Sequence, residues 1–228
     1  MLRDVEQGLR LLQKDPAFTS VLPEGRTKEA AALLEKYIAE IELFNPAYGL
    51  VGTSDREELV TKHILDSLAP LGIIGGLLGE HGGDAPQIAD VGSGAGLPGI
   101  PLAIALPQAR FTLIERMGRR TGFLRNTLAI LGLDNVTVEE GEMEKAAPGR
   151  FDIICFRAFR PLEPAILRGL FRLLAPGGVL AAYKGRREAV EAEMAKLGEG
   201  AGPWKALPCP VPGLAEERCL LVIHPSTF

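Results

Sequence analysis

The sequence predicts an α/β fold: a mostly parallel seven-stranded sheet with a C-terminal antiparallel hairpin, preceded by a helical N-terminal extension. Three observations predict it. Apolar residues recur at helical spacing before residue 86, short strand and helix patterns alternate after it, and two strand-like segments close the chain. The 228 residues suffice for one large domain with a modest addition. We therefore divide the chain into residues 1–85, expected to pack on the main domain, and residues 86–228, the main domain itself.

The N-terminal extension shows helical periodicity interrupted by capping and breaking residues. Apolar side chains recur at every third or fourth position through residues 30–44, which predicts one long amphipathic helix. Polar caps and prolines set the limits of such helices. In chain order, the expected boundaries are Thr27 as an N-cap, Asn45-Pro46 as a helix end, Ser54 or Asp55 as the next N-cap, and residues 82–86 as the linker to the main domain.

The main domain alternates short apolar strands with helices, a pattern typical of a parallel sheet with crossover helices on both faces. The predicted strands span residues 87–91, 110–115, 135–139, 151–156, 179–184, 204–210 and 218–224. The predicted helices span residues 98–106, 118–131, 161–174 and 186–197. The last two strands are expected to pair as a hairpin, which places an antiparallel strand at or near the sheet edge.

Charge is unevenly distributed along the chain. The formal net charge is −4, yet residues 86–190 carry 14 basic and 10 acidic side chains and are locally cationic. A basic face attracts the phosphates of a nucleic acid, although an ordinary solvated surface also explains the composition. The distribution is therefore compatible with an RNA partner and does not by itself establish one.

Cysteine usage and hydropathy indicate the compartment. Cys155, Cys209 and Cys219 lie far apart without metal-ligand spacing, so we expect single buried thiols in a reducing environment and no metal site. The sequence contains no uninterrupted apolar stretch of about 18 residues, and its charged N-terminus lacks the apolar core of a signal peptide. We expect a cytoplasmic monomer with no membrane partner.

A glycine-rich turn follows the first predicted strand and opens a helix, which is the context such a motif needs. Glycine allows a ligand to approach the backbone at the carboxyl end of a parallel strand, where side chains would block it. Backbone N–H groups of the turn can then meet a carboxylate or a phosphate. The candidate cofactor-binding residues of this turn are Asp90, Gly92, Ser93, Gly94, Gly96 and Leu97.

The spacing of the turn indicates which ligand it binds. The third glycine comes one position earlier than in the G-x-G-x-x-G pattern of dinucleotide enzymes. Glu115 ends the next predicted strand, 25 residues after Asp90, where a carboxylate can accept both hydroxyls of an unphosphorylated ribose. Such a ribose occurs in NAD and in S-adenosylmethionine. Three features favour the methyl donor: the early third glycine, the closing hairpin, and the Asp90 carboxylate, which could lie near the ammonium group of S-adenosylmethionine.

Several motifs resemble the RsmG (GidB) family of bacterial methyltransferases. The resemblance runs from about residue 38 to residue 223, and its most specific part is the Gly-Leu-Pro-Gly-Ile-Pro run that begins at Gly96. The motifs are Lys62–Leu68 (KHILDSL), Asp90–Ala103 (DVGSGAGLPGIPLA), Phe111–Glu115 (FTLIE), Arg119–Leu124 (RRTGFL), Arg157–Phe159 (RAF) and Tyr183–Gly185 (YKG).

The resemblance implies a Rossmann-like class I methyltransferase that uses S-adenosylmethionine. Its expected reaction is methylation of N7 of one guanosine, position 527 in the 530 loop of 16S ribosomal RNA, with the RNA or an assembling small ribosomal subunit as partner. The donor contacts that it implies are Gly92, Leu97, the Met143-Glu144 pair and Arg157.

Polar residues near the strand ends are candidates for the RNA site. His63 and Asp66 share one helix face, which is also typical of a helix surface or a helix–sheet hydrogen bond; the resemblance favours a position lining the donor or RNA cleft. Basic residues follow the predicted strand ends, where ligands bind in open sheets. The candidate substrate residues are His63, Asp66, Arg116, Arg119, Arg160 and Lys184.

Guanine N7 carries a lone pair and no proton, so its methylation requires no general base, and we name none. Asp66 and Glu144 are candidate stabilisers of the positive charge that develops on the ring. Three alternatives remain at this point: a nicotinamide-dependent oxidoreductase using the same turn, a methyltransferase for another RNA or a small molecule, and a non-catalytic RNA-binding module.

Overall fold

The computed structural model of the chain describes residues 4–81 and 85–225. Within these residues, seven strands form one sheet in the order β3-β2-β1-β4-β5-β7-β6. This arrangement confirms both the mostly parallel sheet and the closing hairpin. The strands are β1 (Gln87–Val91), β2 (Arg110–Glu115), β3 (Val136–Glu140), β4 (Phe151–Arg157), β5 (Leu174–Lys184), β6 (Trp204–Pro208) and β7 (Cys219–Ile223).

The strand order reverses at β1, the central parallel strand. Strands β2 and β4 flank β1 on its two sides, so that Asp90 pairs with Leu113 of one neighbour and Cys155 of the other. In open α/β sheets, ligands bind outside the carboxyl ends of the strands where the order reverses. β7 runs antiparallel to β5 and pairs Cys219 with Lys184, which brings the start of β7 to the same edge.

Helices cover the sheet and form the N-terminal segment. Because residues 82–84 lie outside the described part, the predicted linker at 82–86 is described only at its end. The α-helices are α1 (Val5–Leu12), α2 (Pro16–Val21), α3 (Thr27–Tyr48), α4 (Arg56–Glu58), α5 (Asp66–Leu68), α6 (Leu71–His81), α7 (Gly99–Ala105), α8 (Gly118–Leu131), α9 (Pro164–Leu173) and α10 (Arg187–Leu197), and a π-helix (Leu59–Leu65) joins α4 to α5. No helix in the described ranges is long and apolar enough to cross a membrane.

Two predicted boundaries of α3 are wrong. Thr27 is the first helical residue and no capping hydrogen bond is formed there; its hydroxyl oxygen accepts from the side-chain amide of Gln13 at 2.8 Å instead. The helix also continues through Pro46 and ends at Tyr48, before Gly49, whose φ is +58°. Proline near a helix end removes only one hydrogen bond of the last turns, and the Asn45 side chain bonds the Val51 N–H and the Thr53 carbonyl beyond the helix.

The prediction of Asp55 as the next N-cap is confirmed, because its carboxylate accepts from the backbone N–H of Glu58 at 3.0 Å. Two boundaries around β5 differ from those predicted: α9 begins at Pro164, and β5 begins at Leu174 rather than at residue 179. The proline-glycine-glycine segment between them belongs to the strand because Leu174 already pairs with Phe151, across an irregularity in the register.

The N-terminal helices share one hydrophobic core with the sheet. Leu34 and Ile38 of α3 belong to the same buried cluster as Ile100 of α7 and Phe111 of β2. The guanidinium of Arg26 donates to the carbonyls at the end of α7, at 3.0 Å to residue 104 and 3.1 Å to residue 105. Helix α7, which follows the glycine turn, is therefore held by the sheet and by the N-terminal helices of the chain.

Candidate active site

The glycine turn between β1 and α7 has a backbone that only glycine adopts readily. The φ angles of Gly92, Gly94 and Gly96 are +71°, +60° and +94°. A Cβ on Gly96 would lie 2.5 Å from the Ile100 side chain, and a Cβ on Gly92 would lie 2.4 Å from the Phe159 ring. At Gly92 and Gly96, both the backbone conformation and the lack of space require glycine. A Cβ on Gly94 would have no neighbouring atom closer than 3.9 Å, so only its conformation favours glycine.

Asp90 lies beneath the turn and holds it together. One carboxylate oxygen accepts from the Ser93 hydroxyl at 2.7 Å and from the Gly99 N–H at 2.9 Å. The other oxygen is buried and has no hydrogen-bond partner among the described residues. Burial raises the pKa of Asp90 to about 6, against the opposing effect of these two hydrogen bonds. Asp90 and Ser93 thus shape the turn from within the core.

Glu115 joins the end of β2 to the glycine turn. Its two carboxylate oxygens accept from the backbone N–H groups of Gly94 and Met117, each at 2.9 Å. The side chain is buried, at 4% exposed. A carboxylate offers about four acceptor positions, so Glu115 retains two for further donors such as hydroxyl groups.

A cavity of about 230 Å³, here called the turn cavity, opens beside these groups. Gly92 and Glu115 border it, and the segment around Met143 forms its far side. The terminal methyl of Met143 packs close to Gly169 of α9, so the Met143 side chain belongs to the core beneath the cavity. The basic residues along the cavity are Arg116, Arg120 and Arg160.

A second cavity of about 590 Å³, here called the arginine cavity, lies at the ends of β4 and β5. The sequence-predicted residues that line it are His63, Asp66, Arg157, Arg160 and Lys184, and Arg218 joins them from the start of the hairpin strand. Phe159 and Arg160 border both cavities, which are therefore adjacent.

Arg157 is the centre of a buried network in the arginine cavity. Its guanidinium donates to Asp66 at 2.9 Å and to the Lys62 carbonyl at 3.0 Å, and it contacts Nδ1 of His63 at 3.1 Å. The other oxygen of Asp66 accepts from Arg218 at 3.1 Å. One carboxylate thus holds two guanidiniums, and both bonds cross between the N-terminal helices and the main domain.

His63 is neutral in this network. Burial, reinforced by the nearby Arg157 cation, lowers the pKa of His63 to about 4. A neutral imidazole whose Nδ1 faces the guanidinium can accept a hydrogen bond there. His63 lies in the π-helix, an irregularity that is frequent at functional sites, and the carbonyl of Lys62 in the same helix accepts from Arg157.

Two further basic residues of the arginine cavity form ion pairs. Arg160 pairs with Glu144 at 3.1 Å, and Lys184 pairs with Glu193 of α10 at 2.7 Å. The segment that carries Arg160 begins at Ala158, whose φ of +48° is uncommon for a residue other than glycine. Such backbone strain concentrates at functional sites.

The structure brings some predicted residues together and separates others. The turn cavity receives Gly92, Glu115, Met143, Arg116 and Arg160, whereas Arg157 lies in the arginine cavity. Arg119 is exposed and lines neither cavity; its neighbour Arg120 lines the turn cavity instead. The members of the glycine turn that line neither cavity are Asp90, Ser93, Gly94, Gly96 and Leu97.

Arg218 is a site residue that sequence reasoning missed. It precedes β7, and only the pairing of Cys219 with Lys184 places it beside the end of β5. The spacing of the residues did not reveal that register. Among the described residues, no group of three or more His, Cys, Asp or Glu side chains could hold a metal ion.

The site fits a nucleoside donor. The turn offers backbone without side chains at its open positions, and Glu115 keeps acceptor positions for ribose hydroxyls beside a cavity. A sheet that reverses at β1, ends in an antiparallel hairpin and carries this turn and this carboxylate defines the class of Rossmann-like, S-adenosylmethionine-dependent methyltransferases.

Solved structures share this fold. The chain is similar to a CurJ carbon methyltransferase, with a TM-score of 0.59 and 15% identity over 97% of this chain and 70% of that one. It is also similar to a SAM-dependent methyltransferase from Aquifex aeolicus, with a TM-score of 0.53 and 16% identity over 74% and 93% of the two chains. At these identities the likeness concerns the fold alone.

The family follows from sequence. Residues 30–199 match the model of the GidB family, described as rRNA small subunit methyltransferase G. Ribosomal RNA small subunit methyltransferase G of Treponema pallidum (strain Nichols) is 41% identical, over 89% of both proteins. The protein of that name from Ralstonia nicotianae is 40% identical, over 80% of this chain and 81% of the relative. The chain therefore belongs to the GidB family of methyltransferases, and its cofactor is S-adenosylmethionine.

Proposed function

We propose that this enzyme methylates N7 of a guanosine in small-subunit ribosomal RNA, the guanosine at position 527 in the 530 loop of 16S RNA. The observation that carries the proposal is the pair of adjacent cavities, one beside the ribose-type carboxylate Glu115 and one lined by basic side chains. Membership of the GidB family supports the class of substrate. We further propose that the enzyme acts in the cytoplasm as a monomer, on the RNA or on an assembling subunit.

In this proposal the turn cavity and the turn itself hold the donor. Glu115 accepts the ribose hydroxyls through the two acceptor positions that the Gly94 and Met117 N–H groups leave open. Gly92 lets the donor approach the backbone, and the segment at Met143 and Glu144 borders the adenine. Asp90, Ser93, Gly96 and Leu97 act by holding the turn in shape, since they are buried within it.

The arginine cavity takes the target guanosine and its phosphates. Arg160 and Lys184 offer cations to the backbone, and Arg116 extends the basic border on the donor side. Phe159, between the cavities, offers an aromatic face on which an unstacked base can lie. Arg157 at the end of β4 bonds His63 and Asp66 of the N-terminal helices. We therefore expect Arg157 to affect donor binding indirectly, by holding these elements in place. We assign Arg119 to the part of the protein surface that contacts RNA outside both cavities.

The reaction requires the side chains mainly to position the donor and the guanosine relative to each other. The donor, when bound, supplies an electrophilic methyl group on a sulfonium centre. Guanine N7 has a free lone pair and loses no proton, so no residue needs to act as a base. Holding the reactants in line contributes several kcal/mol, on the order of 7 or more in favourable cases. We assign to Asp66 and Glu144 the role of favouring the cationic product; in the free enzyme Asp66 pairs with Arg157 and Arg218, and Glu144 pairs with Arg160.

The proposal is tested with unmodified small-subunit RNA and unmodified small subunits as substrates, and S-adenosylmethionine labelled on its methyl group. After digestion to nucleosides, the label is expected in 7-methylguanosine. A matched RNA carries 7-deazaguanosine at position 527, which replaces N7 by carbon and leaves the Watson–Crick edge intact. It should accept no label. Label in another nucleoside, or undiminished labelling of the deaza substrate, would refute the proposal.

A further inference from the structure

The N-terminal helices contact the glycine turn directly, through one buried tyrosine. Tyr37 of α3 is fully buried, and its hydroxyl donates to the backbone carbonyl of Ala95 at 2.7 Å. Ala95 lies between Gly94 and Gly96, in the middle of the turn. Burial raises the pKa of Tyr37 well above its usual value, so the hydroxyl remains a donor at any working pH.

The Ala95 carbonyl belongs to the Ala95–Gly96 peptide unit, in the middle of the turn. This unit is flanked on one side by Gly96, which has a positive φ and carries no side chain to limit rotation. On the N–H side, this peptide unit is held by the bond from Gly96 to the Ser93 carbonyl at 2.8 Å. On the carbonyl side it is held by Tyr37. Without the phenol, the Ala95 carbonyl would be left buried without that partner and the peptide could rotate.

The other hydrogen bonds of the turn come from the main domain. Ser93 and Gly99 bond to Asp90, Gly94 bonds to Glu115, and Gly92 bonds to the Ile114 carbonyl at 2.9 Å. Tyr37 is thus the contact by which the N-terminal segment reaches the donor-binding backbone. A turn fixed in its binding conformation loses less entropy when the ligand arrives, so this contact should act on donor affinity.

We propose that Tyr37 is a positioning residue for S-adenosylmethionine, holding the Ala95–Gly96 peptide in its donor-binding orientation from outside the main domain. The proposal needs the donor to bind at this turn and does not depend on which nucleotide is methylated. It also gives the N-terminal segment a function on the donor side, in addition to any contact with RNA.

The chain offers a matched control. The hydroxyl of Tyr183 in β5, a partly buried side chain, also donates to a backbone carbonyl, that of Ser67, at 2.8 Å and across the same junction between the N-terminal helices and the sheet. Tyr37→Phe and Tyr183→Phe therefore remove the same kind of hydrogen bond, one at the turn and one away from it. Because Tyr183 borders the arginine cavity, the two variants are compared on donor affinity and melting temperature.

Calorimetric titration with S-adenosylmethionine should give a Kd about 10-fold higher for Tyr37→Phe than for wild type, and less than 2-fold higher for Tyr183→Phe. The melting temperatures of the two variants should decrease by similar amounts relative to wild type. In turnover, Tyr37→Phe should raise KM for the donor and leave KM for RNA unchanged. Equal donor affinities of the two variants would refute the proposal, as would a wild-type chain that does not bind the donor.

A second measurement does not depend on the stability of a variant. The chain has three tyrosines, so fluorotyrosine labelling of the wild-type protein gives a fluorine spectrum with three resonances, assigned with Tyr48→Phe and Tyr183→Phe. Saturation with S-adenosylmethionine should shift the Tyr37 resonance more than the Tyr48 and Tyr183 resonances. A Tyr37 resonance that does not move when the donor binds would overturn the proposal.

Discussion

The two cavities are built in opposite ways. The turn cavity depends on hydrogen bonds among neighbours in sequence: Asp90 bonds residues 3 and 9 positions ahead, and Glu115 bonds a backbone N–H 21 positions away. The arginine cavity depends on side chains from distant segments, since Asp66 lies 91 positions from Arg157 and 152 from Arg218. A mostly local motif fixes the glycine turn, with one long-range contact from Tyr37, whereas long-range contacts alone assemble the arginine cavity.

The two cavities also differ in the forces that hold them. In the turn cavity, backbone conformation and the two buried carboxylates of Asp90 and Glu115 set the geometry, so steric changes should be the most damaging. In the arginine cavity, one carboxylate compensates two partly buried guanidiniums, so removing its charge should be the most damaging. The following predictions separate these two sensitivities, in order of decreasing effect.

Gly96→Ala should have the largest effect, on donor affinity. The new methyl would meet Ile100 at 2.5 Å and Leu124 at 3.0 Å, and alanine would have to adopt a φ of +94°. We expect donor affinity to fall by at least about 100-fold, or roughly 3 kcal/mol, as measured by calorimetry. Gly132→Ala is the control: it has a φ of +66° and no neighbour within 4 Å, so it isolates backbone strain away from the site. Equal donor affinities would contradict the prediction.

Asp66→Ala should act mainly on stability and on RNA methylation. It leaves Arg157 and Arg218, which are 16% and 27% exposed, without their shared carboxylate. Breaking a buried pair in this way costs about 3 kcal/mol of unfolding free energy, measured by denaturant titration. Donor affinity should fall less than in Gly96→Ala.

The control for Asp66→Ala is Glu191→Ala, which breaks the exposed pair between Arg187 and Glu191 on α10. Exposed pairs one helical turn apart contribute about 0.5 kcal/mol or less. If the unfolding free energy decreases equally in both variants, the ion pairs of Asp66 contribute no more to stability than an exposed pair, and the prediction is wrong.

His63→Gln should change the pH dependence of stability by a smaller amount. Because the folded-state pKa of His63 is about 4, against 6.5 for the free side chain, the unfolded chain binds more protons between these values. The contribution of His63 is therefore complete above pH 6.5 and decreases as the pH falls toward 4. The pKa of Asp90, raised to about 6, gives the opposite slope over nearly the same range.

The two groups largely cancel in the wild-type protein, and His63→Gln removes one of them. The difference in unfolding free energy between wild type and variant should grow by about 2 kcal/mol from about pH 4.5 to about pH 7, in denaturant titrations at each pH. A difference that is constant over this range would show that His63 is not held neutral by the fold.

The parts of the fold that were predictable from sequence are those with local causes. Strands β1 and β2 and helix α8 lie at the predicted residues because short apolar runs and a terminal glycine define them. The wrong boundaries coincide with side-chain contacts to other segments: Thr27 bonds Gln13, and Asn45 bonds the backbone of Val51 and Thr53.

The same division applies to the site. The sequence predicts the turn and Glu115 because their spacing is a local property. It predicts that Arg157 is important but not its partners, since the contacts to the π-helix depend on how the N-terminal helices dock on the sheet. Arg218 could not be found in this way, because its position follows from the register of a hairpin strand.

The most direct test of the two-cavity account is a crystal structure of the chain with S-adenosylhomocysteine, the product form of the donor. We expect both ribose hydroxyls within hydrogen-bond distance of the Glu115 carboxylate, and the sulfur facing Phe159 and the arginine cavity. A nucleoside bound away from Glu115, or a sulfur facing away from the arginine cavity, would contradict the account.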